Sequence, residues 1–324
     1  ALDVFERDAV TGVLSFVETL SVTAGQQDLV MSPDGEHLYL VASGEVALFQ
    51  RDTDSDSQNF GQLSYVSPAL HADLSGAAAL AISGDGNHLY VAASDGATGA
   101  LVLLRRDAAS GSLTYATTYD DADLTAPPRL FGGSLSGASG VAVTPDGEHV
   151  QVVSSMGDSL LVFRRTAATG LLGFEQDLVQ GKPELPENPV NGLDGASSVH
   201  VTPDGQHVLV AAADNNSVTV FARRAPDPLF SFIEVEQWNV DDLHASDHPD
   251  YMPVPGLLGA SAVGVSPDGA HVYAAGLGDD SVTVFARDPG KGLTEDTRGQ
   301  HLNFVEMQVD GQGGVTGMDR PAHI

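Results

Sequence analysis

The sequence contains no cysteine, and only two of its 14 basic residues are lysines, Lys182 and Lys291. Without cysteine the chain can form no disulfide and cannot use a thiolate as a nucleophile. Acidic residues number 44, so the formal net charge is −30. This charge would repel the phosphates of nucleic acids and anionic lipid headgroups, so neither is an expected partner.

Long apolar runs are also absent, and no segment approaches the length of a membrane span, so we expect no membrane insertion. Hydrophobic residues still make up 42% of the 324 residues, which is enough for a core. The acidic surface suits a saline medium that screens its self-repulsion. On charge alone, we expect an extracellular or periplasmic protein in a saline environment.

Five segments of the chain share one pattern: LVMSPDGEHLYLVA, LAISGDGNHLYVAA, VAVTPDGEHVQVVS, VHVTPDGQHVLVAA and VGVSPDGAHVYAAG. Each has an alternating run, a Pro-Asp-Gly or Gly-Asp-Gly turn and a second run, which predicts a hairpin of strands A and B. A second hairpin, strands C and D, follows, and strand C ends in a recurring arginine. A repeated four-stranded unit without helical patterns predicts a β-propeller.

The predicted fold is therefore all-β, a single propeller domain spanning residues 1–324. Five complete four-stranded blades are predicted at residues 26–66, 77–119, 138–180, 196–238 and 260–309. A sixth blade is predicted to take strands C and D from residues 1–18 and strand A from residues 319–324, because propellers often close their ring with both termini. Strand B of that blade is missing, so we expect an excerpt from a longer chain, with seven blades as the alternative to six.

The phrases SPDGEHLYLVA, TPDGQHVLVAAADNNSVTVFARR and SPDGAHVYAAGLGDDSVTVFARD resemble the YVTN-type and lactonase-like propeller repeats, the 6-phosphogluconolactonase-like family. The resemblance covers nearly the whole chain. It implies the propeller fold and, for the enzymes of that superfamily, the opening or closure of a lactone. No non-repeated set of His, Arg and Glu can be matched to a family site, so the resemblance implies fold more strongly than activity.

Two repeated polar positions have structural interpretations. One histidine per blade follows the turn aspartate, at His37, His88, His149, His207 and His271. Metal ligands must converge on one point, so these histidines are predicted to be turn residues that hydrogen-bond locally.

Because the A–B and C–D turns share a face, the arginine that ends strand C is predicted to pair with the aspartate of its own blade. The predicted pairs are Asp34 with Arg51, Asp85 with Arg106, Asp146 with Arg165, Asp204 with Arg223 and Asp268 with Arg287.

The opposite face, made of the D–A and B–C links, holds most of the non-repeated sequence. Long irregular loops on a rigid scaffold are where binding residues commonly lie. The candidate ligand-binding residues on this face are Asp120, Asp121, Asp123, Trp238, Tyr251, Asp279 and Asp280.

The densest polar cluster on that face is the segment DDLHASDHPDY. It supplies the candidate metal ligands Asp241, Asp242, His244, Asp247, His248 and Asp250. Histidine with carboxylates suits zinc, and carboxylates alone suit calcium, so these two ions are the candidate cofactors. A solvated acidic loop is the simpler interpretation, which the spacing favours.

Two functions follow from these features. The first is a non-catalytic interaction module of an exported protein, whose acidic face binds a protein partner, other domains of the parent chain or a divalent cation. The second is a lactonase-like hydrolase with a site at the channel mouth, assisted by a metal held in residues 241–251. The first is preferred, because no convergent catalytic set is visible; an enzyme should show a deep pocket with converging non-repeated side chains.

Overall fold

The computed structural model describes the chain except residues 23–24, 43, 97, 125–130, 186–187, 224–228, 239–253, 291–300, 313–314, 316–317, 319–320 and 322–324, and the side chains of 183–185 and 188. The described residues form five four-stranded antiparallel sheets and a separate two-stranded sheet at the N-terminus. Each four-stranded sheet runs as a meander in chain order, an all-β arrangement consistent with a propeller. The five sheets are named blades I to V below, with strands A to D in chain order.

The strand bounds follow the repeat. The N-terminal sheet consists of β1 (Leu2–Arg7) and β2 (Leu14–Leu20). Blade I consists of β3 (Gln26–Met31), β4 (His37–Ala42), β5 (Glu45–Arg51) and β6 (Leu63–Leu70). Blade II, which follows a short 3-10 helix (Ala72–Leu74), consists of β7 (Ala77–Ile82), β8 (His88–Ser94), β9 (Gly99–Arg106) and β10 (Leu113–Tyr119).

The second half of the chain continues the pattern. Blade III consists of β11 (Ala138–Val143), β12 (His149–Ser154), β13 (Ser159–Arg165) and β14 (Leu172–Val179). A small hairpin, β15 (Pro183–Leu185) and β16 (Asn188–Pro189), lies before blade IV. Blade IV consists of β17 (Ala196–Val201), β18 (His207–Ala212), β19 (Ser217–Arg223) and β20 (Phe230–Gln237). Blade V consists of β21 (Ala260–Val265), β22 (His271–Gly276), β23 (Ser281–Arg287) and β24 (Leu302–Val309).

The core lies between neighbouring blades. In the layer between blades I and II, for example, Tyr39 and Val41 of strand B pack in one cluster with Leu89 and Val91 of the next strand B. Alternate residues of a strand point to opposite faces, so the inner strands of each blade pack against both neighbours. This double burial explains why strands B and C read as nearly continuous apolar runs.

In the second half of the chain, strand A is also joined to the next by a serine at a β-bulge. The Oγ atoms of Ser139 and Ser197 donate to the carbonyls of Ala196 and Ala260, the first residues of the next strand A, at 2.6 and 2.9 Å. Ser261 Oγ donates in the same way to the carbonyl of Pro321 at 2.9 Å. The backbone at Pro321 therefore takes the place of a further strand A beside blade V; residues 319–320 and 322–324 of the predicted strand lie outside the described residues.

The A–B turns are built alike. In blade II, Ser83 Oγ donates to Asp85 Oδ1 at 2.6 Å, and the same oxygen accepts the Asn87 amide at 3.0 Å. Gly86 has a φ of 71°, a left-handed conformation that favours glycine. These contacts use Oδ1 of the turn aspartate and leave Oδ2 for a partner outside the turn.

That partner is an arginine of the next blade. Arg165 of blade III donates through Nη2 to Asp85 Oδ2 of blade II at 2.7 Å, and through Nε to the Tyr90 hydroxyl at 3.0 Å. The same Nη2 lies 2.9 Å from His88 Nδ1, and Nη1 donates to the carbonyl of Gly147, in the turn of its own blade, at 2.9 Å. One guanidinium thus joins two blades, and we call this contact set the arginine clamp.

The clamp recurs around the fold. Arg106 of blade II binds Asp34, His37 and Tyr39 of blade I, and Arg287 of blade V binds Asp204 and His207 of blade IV. The side chains of these clamp arginines are only 1–2% exposed.

The predicted pairing of each arginine with the aspartate of its own blade is wrong. No described residues form any of the five predicted pairs; the aspartate partner always belongs to the preceding blade. The arginine does approach its own turn, where it donates to a glycine carbonyl. In blades II and III the turn occupies Oδ1 of the aspartate and the arginine of the next blade occupies Oδ2. The prediction that the histidines hydrogen-bond locally is likewise wrong for the side chains of His37, His88 and His207, whose Nδ1 atoms lie 2.9 Å from the arginine of the next blade.

Helices contribute little to this fold. Within the described parts of the chain, no helix has the length and apolar character needed to span a membrane.

Loss of a clamp should destabilise the junction between two blades. We expect Arg165→Ala to lower the free energy of unfolding by about 2–3 kcal/mol. Removing one partner of a fully buried ion pair typically costs about 3–5 kcal/mol. The expected loss is smaller here because the partner Asp85 is partly exposed. Arg223→Ala is the matched control: its side chain is 19% exposed, and we expect a loss of about 1 kcal/mol or less. Urea unfolding of both variants measures the difference, and equal losses would contradict the clamp.

The clamp aspartates should make the fold acid-sensitive. Burial acts to raise the pKa of Asp34, Asp85 and Asp204, but hydrogen bonds from the turn and from the clamp arginine outweigh it and lower each pKa from 3.8 to about 2. A depressed folded-state pKa stabilises the fold above the unfolded-state value, and this stabilisation disappears as the pH falls from about 4 to about 2. The thermal midpoint should therefore fall across that window, and less steeply in Asp85→Asn; identical slopes would refute the link.

Candidate functional site

A cavity of about 500 Å³ opens beside blade II, on the face formed by the D–A and B–C links. Three segments line it: the link between blades I and II, the β8–β9 connection and the end of β10. Its polar lining residues are Asp73, Ser75, Ser94, Asp95, Thr98, Thr118 and Asp120. The volume is within the range of small-molecule sites, roughly 300–1,000 Å³. We call it the blade II cavity.

The first wall is fixed by the short 3-10 helix. His71 caps this helix, with Nδ1 accepting the Asp73 amide at 3.3 Å, and its ring stacks on Tyr115 at 3.7 Å between centroids. Thr118 Oγ1 donates to Asp73 Oδ2 at 2.5 Å, and His71 Nδ1 lies 3.6 Å from the same oxygen. Thr118 thus fixes the Asp73 carboxylate, and His71 fixes the Asp73 backbone.

The other walls are turns closed by their own side chains. Asp95 Oδ1 accepts the amide and the hydroxyl of Thr98 at 2.8 and 3.0 Å, and Ser94 Oγ donates to the Thr98 carbonyl at 2.9 Å. Asp120 Oδ1 accepts the Ala122 amide at 2.7 Å. These bonds orient the carboxylates before any ligand binds.

The chemistry of this lining is that of hydrogen-bond acceptors. Three carboxylates and four hydroxyl groups face the cavity, and none of its described lining residues is basic. Ionised carboxylates accept strong hydrogen bonds from hydroxyl groups, and they repel phosphate. The cavity therefore suits a small hydroxylated molecule without negative charge.

Of the seven predicted ligand-binding residues, the structure places only Asp120 in this cavity. Asp121 and Asp123 lie in the same link but support the backbone: the Asp121 carboxylate accepts Leu135 N and Ser134 Oγ, both at 2.7 Å, and Asp123 Oδ2 accepts Asp120 N at 3.0 Å.

Three more predicted residues lie elsewhere. Trp238 packs against the apolar cluster between blades IV and V. Asp279 and Asp280 lie in the β22–β23 turn of blade V, where Asp279 Oδ2 accepts the Leu258 amide at 3.2 Å and Asp280 has a φ of 48°. They are not brought together with Asp120.

The remaining predicted residues lie outside the described residues. These are Tyr251 and the six candidate metal ligands Asp241, Asp242, His244, Asp247, His248 and Asp250. Metal binding there stays a prediction.

Sequence reasoning missed most of the cavity, because Asp73, Asp95 and Thr118 come from short links or a strand end. The available signal was departure from the repeat: Asp73 and Asp95 belong to HADLSG and SDGATG, which have no counterpart in the other blades.

Two buried carboxylates of blade IV face no described cavity. Burial raises the pKa of Glu234 to about 7, although its oxygens accept the amides of His301 and Leu302 at 2.8 and 2.6 Å. Burial and the neighbouring Glu234 raise the pKa of Glu236 to about 8. Because Glu234 binds the backbone of blade V, it joins blades IV and V.

A family model described as lactonase, seven-bladed β-propeller, matches residues 1–184, more than half of the chain. The chain belongs to this lactonase family. No curated protein sequence matches it.

Solved structures share this fold. A Bacteroides uniformis protein assigned as a 6-phosphogluconolactonase has a TM-score of 0.66 and 18% identity over 95% of this chain and 78% of its own. The periplasmic gluconolactonase of Pseudomonas aeruginosa has a TM-score of 0.65 and 20% identity over the same shares of the two chains. A Lactobacillus plantarum protein has a TM-score of 0.63 and 19% identity over 94% of this chain and 77% of its own. At these identities the likeness shows the fold alone.

Proposed function

We propose that this lactonase-family protein hydrolyses a small, uncharged, polyhydroxylated lactone bound in the blade II cavity. The observation that carries the proposal is the lining: three oriented carboxylates with four hydroxyl groups and no described basic side chain. Family membership supports lactone chemistry, and the lining supports the class of lactone. This proposal replaces the interaction module as the preferred function.

Lactone hydrolysis requires a base that takes a proton from water as the water attacks the ring carbonyl carbon. Asp73 is assigned this role, because Thr118 Oγ1 fixes its Oδ2 by a hydrogen bond while the residue lines the cavity. The C–O bond of the ring then breaks, and the ring oxygen takes the proton held by Asp73, which gives the open hydroxy acid and restores the carboxylate. Asp95 and Asp120 accept hydrogen bonds from the substrate hydroxyls.

Charge favours an uncharged lactone over a phosphorylated one. A phosphate group would lie beside Asp73, Asp95 and Asp120 with no described lysine or arginine in the lining to balance it. Proteins bind phosphate with arginine, lysine or backbone amides. Of the two enzyme names among the structural neighbours, gluconolactonase therefore fits this cavity better than 6-phosphogluconolactonase.

We also propose that the ring has seven blade positions instead of six. The family description supports seven. In a seven-bladed ring, β1–β2 and Pro321 belong to two different blades. Export and a saline environment stay predictions from the charge.

The proposal predicts hydrolysis of glucono-1,5-lactone above its spontaneous rate, measured by pH-stat. Asp73→Asn should lower kcat by about 100-fold or more, as expected for loss of a general base. Asp120→Asn should mainly raise KM, by about tenfold, as expected for a lost hydrogen bond to a charged group. The 6-phosphorylated lactone should be a poorer substrate, with a lower kcat/KM.

The matched control is Asp56→Asn, which removes an exposed carboxylate from the C–D turn of blade I, on the opposite face. It should leave both kcat and KM unchanged. Absence of turnover would overturn the hydrolase proposal, and calorimetric binding of the lactone without turnover would indicate a non-catalytic binding site for hydroxylated molecules. Equal effects of Asp56→Asn and Asp73→Asn would exclude the cavity as the site.

A further inference from the structure

The arginine clamp changes at one junction, between blades III and IV. Arg223 donates through Nη1 to Asp146 Oδ2 at 2.6 Å, its Nη2 lies 3.6 Å from Glu148 Oε2, and its side chain is 19% exposed. It makes no hydrogen bond to a described atom of His149. At the other three junctions the arginine Nη2 lies 2.9 Å from the histidine Nδ1.

The cause is a residue that departs from the repeat. Tyr39 and Tyr90 accept Nε of the clamp arginine in blades I and II, and His301 accepts Nε of Arg287 at 3.4 Å. Blade III has Gln151 at the position of Tyr39 and Tyr90, two residues after the histidine, and it makes no such bond. Without an acceptor for Nε, the guanidinium lies further out, against the two acidic side chains.

The displacement leaves a group of buried polar atoms without hydrogen-bond partners. Among the described residues, these are Nδ1 and Nε2 of His149, Nε2 and Oε1 of Gln151, and Oε2 of Glu175. His149 and Gln151 are almost fully buried, at 1% and 0% exposure. Buried polar side chains nearly always have a hydrogen-bond partner, so five such atoms in one place indicate a missing occupant.

Glu175 is the second departure from the repeat. The equivalent strand D position holds an apolar residue in the other blades: Val66, Ala116, Ile233 and Val305. Its Oε2 lies 3.1 Å from His149 Nε2, yet neither atom makes a hydrogen bond of acceptable geometry. A carboxylate at an otherwise apolar position therefore meets the repeat histidine of the junction where the arginine has moved away.

The separation of these two atoms fits a shared metal ion. Ligand atoms at about 2.0–2.1 Å from a tetrahedral zinc lie roughly 3.3 Å apart, close to the observed distance. His149 and Gln151 alternate on β12 and point to the same face, so the amide oxygen of Gln151 can serve as a third ligand. Asp146 and Glu148 balance the charge of Arg223 next to the site.

We propose that His149, Glu175 and Gln151 bind a divalent transition-metal ion, with zinc as the reference ion, between blades III and IV. The ion takes the place of the arginine that binds the histidine at the other junctions. The site is separate from the blade II cavity, so the proposal does not depend on lactone hydrolysis.

The test is equilibrium dialysis of the metal-stripped chain against zinc chloride, with the thermal midpoint measured in parallel. We expect one zinc per chain and a saturable rise of the midpoint. Glu175→Gln should weaken binding by at least about 100-fold, since even outer-shell partners of a metal contribute 10–100-fold. Gln151→Tyr, which restores the residue of the repeat, should abolish binding and draw Arg223 towards His149.

Two controls locate the ion. His271→Ala removes the exposed histidine at the equivalent position of blade V and should leave zinc binding unchanged. His244→Ala with His248→Ala removes the candidate ligands of the acidic loop and should also leave it unchanged. The absence of a stoichiometric zinc would overturn the proposal. The proposal would also be wrong if zinc binding survived both Glu175→Gln and Gln151→Tyr but was lost in the His244→Ala, His248→Ala variant. If one of the two single-site variants does not fold, the other is sufficient for the test.

Discussion

The structure depends on the guanidinium that crosses from each blade to the one before it. Apolar packing between blades is extensive but non-directional, so it holds the sheets together without setting their register. The planar guanidinium of arginine contacts a carboxylate, a ring nitrogen and a hydroxyl of one blade and a carbonyl of its own turn. Arg165 contacts Asp85, His88 and Tyr90 of the preceding blade in this way. The repeated residues therefore determine the contacts between blades as well as the fold of each blade.

The clamp also explains which parts of the fold could be predicted. Alternation and the Asp-Gly turns predicted the five sheets, because both act within a few residues. The direction of the ion pairs could not be predicted, since Asp85 is followed by an equivalent arginine in its own blade, Arg106, and another in the next, Arg165. A periodic sequence shows that a contact recurs, but spacing alone does not show whether it lies within a unit or between units.

The candidate site illustrates the same limit. Asp120 was predicted because it lies in a long link, whereas Asp73, Asp95 and Thr118 belong to short segments that converge only once blade II has folded. Loop length indicated the correct face but not the position on it. The segment from Asp241 to Asp250 lies outside the described residues, so zinc or calcium binding there stays a prediction.

In a repeat protein, function is best sought where the repeat fails. The residues shared by the blades are accounted for by the clamp, the turns and the core, so they are unavailable for other chemistry: His37 and His88 are occupied by arginines. His149 has the same position and nearly the same burial, but the change of one neighbour to Gln151 and another to Glu175 releases both its ring nitrogens. A histidine that the repeat makes structural in other blades thus becomes a potential ligand in blade III, because its partners changed while the histidine itself did not.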